Sequence, residues 1–314
     1  MTLSRTPAPS KHGTPLPATP ETLPPALEGE RVTIDSNAGR LTVYVAGQGP
    51  AMLLVHSVNA AAAAAEVRPL HEHYRAQRTV FSIDLPGYGL SERSDRAYTP
   101  RLMTDAIHAA VDLIRQRCGA APIDALALSL ASEFLARAAT ERPEVFRTLA
   151  LISPTGFNGT RPRRGPPGST LGMPWLLSAL RGPGWGDAIF RGLTRPGVIR
   201  YFLERTWGGK QIDEALWRYD ILTTRQPGAA YAPLHFLSAG MFSRDIHTVY
   251  EALRLPVWVC HGVRGDFTDY RGLSLVAGRS HWRTTVLQTG ALPHFEVLGE
   301  FTTAYDRFLA APPH

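Results

Sequence analysis

Polar and apolar residues alternate with a period of two in RVTIDSNAGRLTVYVAG (31–47), on either side of Asn37-Ala38-Gly39, which predicts a β-hairpin. AMLLVHS (51–57), TVFSID (79–84), IDALALS (123–129), FRTLALIS (146–153) and LPVWVCHG (255–262) are instead nearly continuous apolar runs, the pattern of strands buried on both faces. WRTTVLQTG (282–290) is a further strand. Between the runs the spacing changes to three and four. Val67, Leu70 and Tyr74 share one face, and so do Met103, Ile107, Ala110, Val111, Ile114 and Cys118. Phe134, Leu135, Ala138 and Ala139 form a third stripe, closed by Pro143. Phe301, Ala304, Tyr305, Phe308 and Leu309 form the last.

Strands alternating with helices predict an α/β fold, a mostly parallel sheet covered by helices on both faces. The alternation breaks over 156–245, where Gly/Pro-rich turns (RPRRGPPG, RGPGWG) separate short helical pieces rich in large side chains. The division expected is a disordered Pro-rich arm over 1–29, a core over 30–155 and 246–311, and an inserted cap over 156–245. Ligands of such sheets bind beyond the carboxyl ends of the strands. The loops after Ser57, Asp84, Ser129, Ser153, Gly262 and Gly290 are therefore where chemistry is expected.

Composition narrows the class. The 314 residues are 44% hydrophobic and 19% charged, with no apolar run of the length a membrane span requires. The net charge of +6 is almost all arginine, since Lys11 and Lys210 are the only lysines. The arginines are scattered, with no basic run interleaved with aromatics, which argues against nucleic-acid binding. Cys118 and Cys260 show no metal-ligand spacing and read as buried free thiols of a reducing compartment. The N-terminal stretch has no apolar segment of a secretory signal, so a cytoplasmic location is expected.

DALALSLASEF joins strand to helix with no intervening loop, and Ala127 and Ala131 flank Ser129 at two residues' distance. A residue in such a turn is pushed into strained backbone angles, and its neighbours must be small. This resembles the nucleophile elbow of the α/β-hydrolase superfamily, with alanine in place of both glycines. The resemblance runs from about residue 30 to 311 and includes LLVHS, DLPGYGLS, similar to a D-x-P-G-x-G-x-S loop, and LPVWVCHG. It implies the α/β-hydrolase fold, Ser129 as nucleophile rather than helix cap, and an oxyanion hole built from the N–H groups of Val58 and Leu130. Ser57 departs from the usual glycine. His56 and Asp84 are expected to hold loops together, and Trp207 and Trp217 to pack the cap while other cap aromatics line the pocket.

The resemblance implies the order serine, acid, histidine. LISPTGFNGT holds no carboxylate, which moves the acid to CHGVRGDFTDY, with Asp266 favoured over Asp269. His281, His294 and His314 follow. His281 precedes the last strand and so lies at the wrong end of the sheet, and His314 is terminal, which leaves His294. Relatives place the base directly after the glycine, however, and here that residue is Ala291, although Glu296 keeps its spacing of six after Gly290. The first expectation is a serine hydrolase that needs no cofactor or metal. It would cleave a carboxylic ester of a hydrophobic small molecule through an acyl-enzyme, with Ser129, Asp266 and His294 as triad. The alternative is an impaired or non-hydrolytic ligand-binding protein on the same fold. The residues specify neither substrate nor oligomeric state.

Overall fold

The computed structural model describes residues 22–182, 185–265 and 267–311. Eight strands form one sheet: β1 (Glu30–Ser36), β2 (Gly39–Ala46), β3 (Ala51–Val55), β4 (Thr79–Asp84), β5 (Ile123–Leu128), β6 (Phe146–Ile152), β7 (Val257–Gly262) and β8 (Trp282–Leu287). Their spatial order is β1-β2-β4-β3-β5-β6-β7-β8. β1 and β2 form the expected hairpin, β2 runs antiparallel to β4, and every other pairing is parallel. β5, at the centre, is buried along its whole length, as its unbroken apolar run requires.

Helices α1 (Arg68–Tyr74), α2 (Pro100–Cys118) and α3 (Ala131–Glu141) alternate with the strands. α2 shows how local sequence sets its limits. Thr99 Oγ1 accepts from the Leu102 N–H, Pro100 opens the first turn, and Gly119 ends it at φ 85°. The helix ends before its thiol is covered, so Cys118 is exposed, contrary to expectation, whereas Cys260 inside β7 is buried. Between β6 and β7 lie α4 (Pro174–Leu180), α5 (Trp185–Leu193), α6 (Pro196–Trp207), α7 (Glu214–Thr224), α8 (Tyr231–Leu237) and α9 (Ile246–Ala252). α10 (Pro293–Glu296) and α11 (Leu298–Leu309) close the chain.

The core is split by the sheet. One layer joins α2, α3 and α9 to its first face, through Met103, Ile107, Phe134 and Tyr250. The other places α1 and α11 on the opposite face, where Trp258 stacks on Tyr305 with ring centroids 5.1 Å apart. Each such fully buried aromatic contributes on the order of 2–3 kcal/mol.

Residues 22–29, assigned in sequence to a disordered arm, are part of this packing. Leu23, Ala26 and Leu27 are buried, the Ala26 N–H donates to Tyr44 Oη, and Tyr219 Oη donates to the Pro24 carbonyl. Three apolar side chains among prolines suffice to anchor the segment. The rest of the expected arm, 1–21, lies outside the described residues. Among the described residues no helix is long and apolar enough to cross a membrane.

Candidate active site

The elbow is formed as the residues demand. β5 ends at Leu128 and α3 begins at Ala131, so Ser129 and Leu130 make the entire link. Ser129 takes φ 51°, a left-handed conformation costly for a non-glycine residue, and its N–H is tied to the Ile152 carbonyl at 2.8 Å. Ala127 and Ala131 are both fully buried, and this close crossing is what their small side chains permit. The Ser129 hydroxyl is half-buried and makes no hydrogen bond to a described residue.

β3 lies beside β5 with Val55 opposite Ala127, which brings the loop after β3 to the elbow. The Val58 and Leu130 N–H groups make no hydrogen bond to a described residue, as an oxyanion hole requires. The loop is braced by a carboxylate not singled out from the sequence. Glu66, buried in the 3-10 turn Ala64–Val67, accepts from the Ser57 N–H at 2.7 Å, Ser57 Oγ at 3.0 Å and Asn59 Nδ2 at 2.8 Å. Burial raises its pKa, and these three hydrogen bonds oppose the rise. Ser57 thus replaces the flexibility of glycine with a second tie to Glu66.

His56 and Asp84 are structural, as expected. His56 Nε2 accepts from the Leu85 N–H and Nδ1 donates to the Ser57 carbonyl. Burial pushes its pKa down to about 4. Asp84 accepts from the N–H groups of Ala64 and Leu90 and from Tyr44 Oη.

His294 is completely buried on α10. Its Nε2 donates to the Glu66 carbonyl at 2.8 Å, and its buried Nδ1 has no hydrogen-bond partner among the described residues. Neither nitrogen is hydrogen-bonded to Ser129. Burial pushes the His294 pKa down to about 4, with the Glu66 hydrogen bond opposing the fall. The ring is thus held by one backbone carbonyl, with Phe295 and Phe301 beside it.

Ala291 occupies the position directly after the glycine, and its backbone is pinned from two sides. Its N–H donates to the Thr206 carbonyl at 2.8 Å, and its own carbonyl accepts from Ser153 Oγ at 2.7 Å. The carboxyl end of α6 therefore lies on the loops after β7 and β8. A Cβ on Gly290 would sit 2.4 Å from Thr206 O and 2.6 Å from Trp207 Cα, and one on Gly262 would sit 2.1 Å from Gly290 O. Glu296 holds the loop in register, accepting from the Gly290 N–H at 2.6 Å and pairing with Arg264.

Ser153 repeats the Ser129 turn one strand over, with φ 47° and its N–H on the Cys260 carbonyl at 2.8 Å. Unlike Ser129, its hydroxyl is already engaged, by Ala291.

Of the two acid candidates, Asp266 and its contacts lie outside the described residues, as does His314. Asp269 is committed locally: it accepts from the Gly159 and Arg271 N–H groups and pairs with the Arg271 guanidinium, whose hydrogen bond lowers its pKa. His281 lies at the far end of the sheet beside Val257, as its place in the chain requires. Asp220, also unread in the sequence, is buried on α7, which packs on the 3-10 turn carrying Glu66. One of its oxygens is buried with no partner among the described residues, and burial together with the nearby Glu66 charge pushes its pKa well up. Among the described residues no group of three or more His, Cys, Asp and Glu side chains could hold a metal.

Solved structures share this architecture. The structure of an epoxide hydrolase without ligand matches at 17% identity and a TM-score of 0.69, over 90% of this chain and 98% of its own. The enol-lactonase from Burkholderia xenovorans matches at 17% and 0.62, over 89% of this chain and 100% of its own. A carboxylesterase from Bacillus subtilis matches at 15% and 0.65, over 90% and 92%. No protein-family model matches the chain, and no curated protein matches it significantly. The solved structures give the fold its name: this chain has the α/β-hydrolase fold.

Proposed function

We propose that this chain presents Ser129 to the carbonyl of a small acyl compound but works without a histidine base. It would bind such a compound and acylate slowly, with little or no turnover. The observation that carries this reading is the state of His294, whose Nε2 is engaged by the Glu66 carbonyl and whose buried Nδ1 has no partner among the described residues. Serine needs a base to take its proton as it attacks. Ala291 supplies none, and α6 covers the loop where one would stand. What survives is the strained elbow with two free N–H groups. In serine hydrolases stripped of a triad member, such remnants keep a rate about 10³–10⁴ above water.

The elbow itself favours a second reading. Ser129, Asp266 and His294 would cleave a carboxylic ester of a hydrophobic small molecule through an acyl-enzyme. That mechanism needs His294 to leave the Glu66 carbonyl and turn to Ser129.

A fluorophosphonate label and an aryl ester separate the two. The parent chain is compared with Ser129→Ala, His294→Gln, whose amide can still donate to Glu66, and Ala291→His. Slow labelling should vanish in Ser129→Ala and change less than about threefold in His294→Gln. It should rise at least about tenfold in Ala291→His. Multiple turnovers by the parent, falling about a hundredfold or more in His294→Gln, would overturn the proposal in favour of the triad.

A further inference from the structure

Large hydrophobic side chains exposed among the described residues are unevenly placed. Met173, Trp175, Trp185, Tyr201 and Phe202 all fall within one stretch of about thirty residues spanning α4 to α6. α4 buries none of its residues, and Trp175 and Trp185 are 70% and 69% exposed. α4 packs on α5, and α5 on α6. Tryptophans left this open need a partner that water does not provide.

Charge says which partner. Residues 156–245 hold twelve of the chain's arginines and lysines against six of its acidic residues, a net +6. The whole chain is also +6, so the remainder is balanced. Arg191 and Arg195, between the exposed aromatics of α5 and α6, form no ion pair with a described residue. A symmetric dimer through this face would bring two copies of the same positively charged patch together. An anionic lipid surface complements both properties at once, since tryptophan favours the interface and arginine the headgroups.

We propose that the α4–α6 face docks the protein peripherally on anionic bilayers. This inference does not depend on Ser129 chemistry. The test is co-sedimentation of the full chain with vesicles of phosphatidylcholine alone or with roughly 30% phosphatidylglycerol, with tryptophan emission followed in parallel. Binding should be at least about tenfold stronger to the anionic vesicles, with a blue shift, and lost in about 0.5 M salt. Arg191→Glu/Arg195→Glu should weaken it by at least roughly fivefold per arginine. Trp175→Ala/Trp185→Ala should abolish the blue shift, while Ser129→Ala binds like the parent. The substituted arginines and tryptophans are on the surface, so circular dichroism of those two variants should match the parent. Equal affinity for neutral and anionic vesicles, no binding to either, or self-association that disappears in Trp175→Ala/Trp185→Ala would overturn it.

Discussion

Replacing His294 by Gln tests whether this histidine is the buried, neutral ring that the hydrogen bonds describe. Burial depresses its pKa from 6.5 to about 4, so the folded protein resists a proton that the unfolded chain accepts. The stabilisation is fully present above pH 6.5 and is lost as pH falls through the window between the two values. The gap is about 2.5 pH units, each worth about 1.4 kcal/mol, so the linkage amounts to about 3 kcal/mol at its acid end. Other buried groups also bind protons differently in the folded and unfolded chain. His56 pulls in the same direction, whereas the raised carboxyls of Glu66 and Asp220 pull in the opposite one. The difference between parent and variant removes these shared contributions. Urea unfolding at intervals from pH 7.5 to about 4.5 should show the parent losing stability relative to His294→Gln by about 1–1.4 kcal/mol per pH unit below pH 6.5. A difference that stays constant with pH would mean that the imidazole titrates alike folded and unfolded. The burial that depresses its pKa would then be wrong.

Three further outcomes follow from other contacts. Asp220→Asn should stabilise the protein at pH 7–8, because a carboxyl whose pKa is raised on folding loses stability as pH rises; the gain should fade towards pH 4, read by thermal melts at both pH values. Gly290→Ala should cost roughly 1–3 kcal/mol in denaturant unfolding, since its Cβ meets the Thr206 carbonyl and Trp207 backbone and the end of α6 must move. A thiol reagent should modify Cys118 within minutes in the native protein, and Cys260 only on unfolding, since the latter is buried and its thiol pKa is pushed up by burial.

The strands, the hairpin and the elbow were legible because each rests on a local rule: apolar runs, period-two alternation, and small residues two positions either side of Ser129. Chain order and sheet edge select His294, and the fold places it on α10, directly after β8. Which way its ring points is decided by the carbonyl of Glu66, 228 residues away in sequence. No spacing rule reaches that far. Gly262 and Gly290 carry a signal that was read only as resemblance. They also mark where backbone presses on backbone, which could have hinted that something lies on those loops. Glu66 had a similar cue as a lone carboxylate after six alanines (60–65), the kind of residue that is buried only to serve a partner. For residues 22–29, the prolines outweighed three apolar side chains that the fold uses as anchors.

The paired turns of Ser129 and Ser153 bear on how such scaffolds change their chemistry. Two adjacent strands end in the same left-handed serine, each donating its N–H to a carbonyl of the next strand. The strained turn is thus a way of finishing a parallel strand, available to more than one position, rather than a signature of reactivity. What sets the two residues apart is the bond that Ser153 makes to Ala291. A designer who wanted a second reactive hydroxyl here would need no new backbone, only a way to unfasten that one contact.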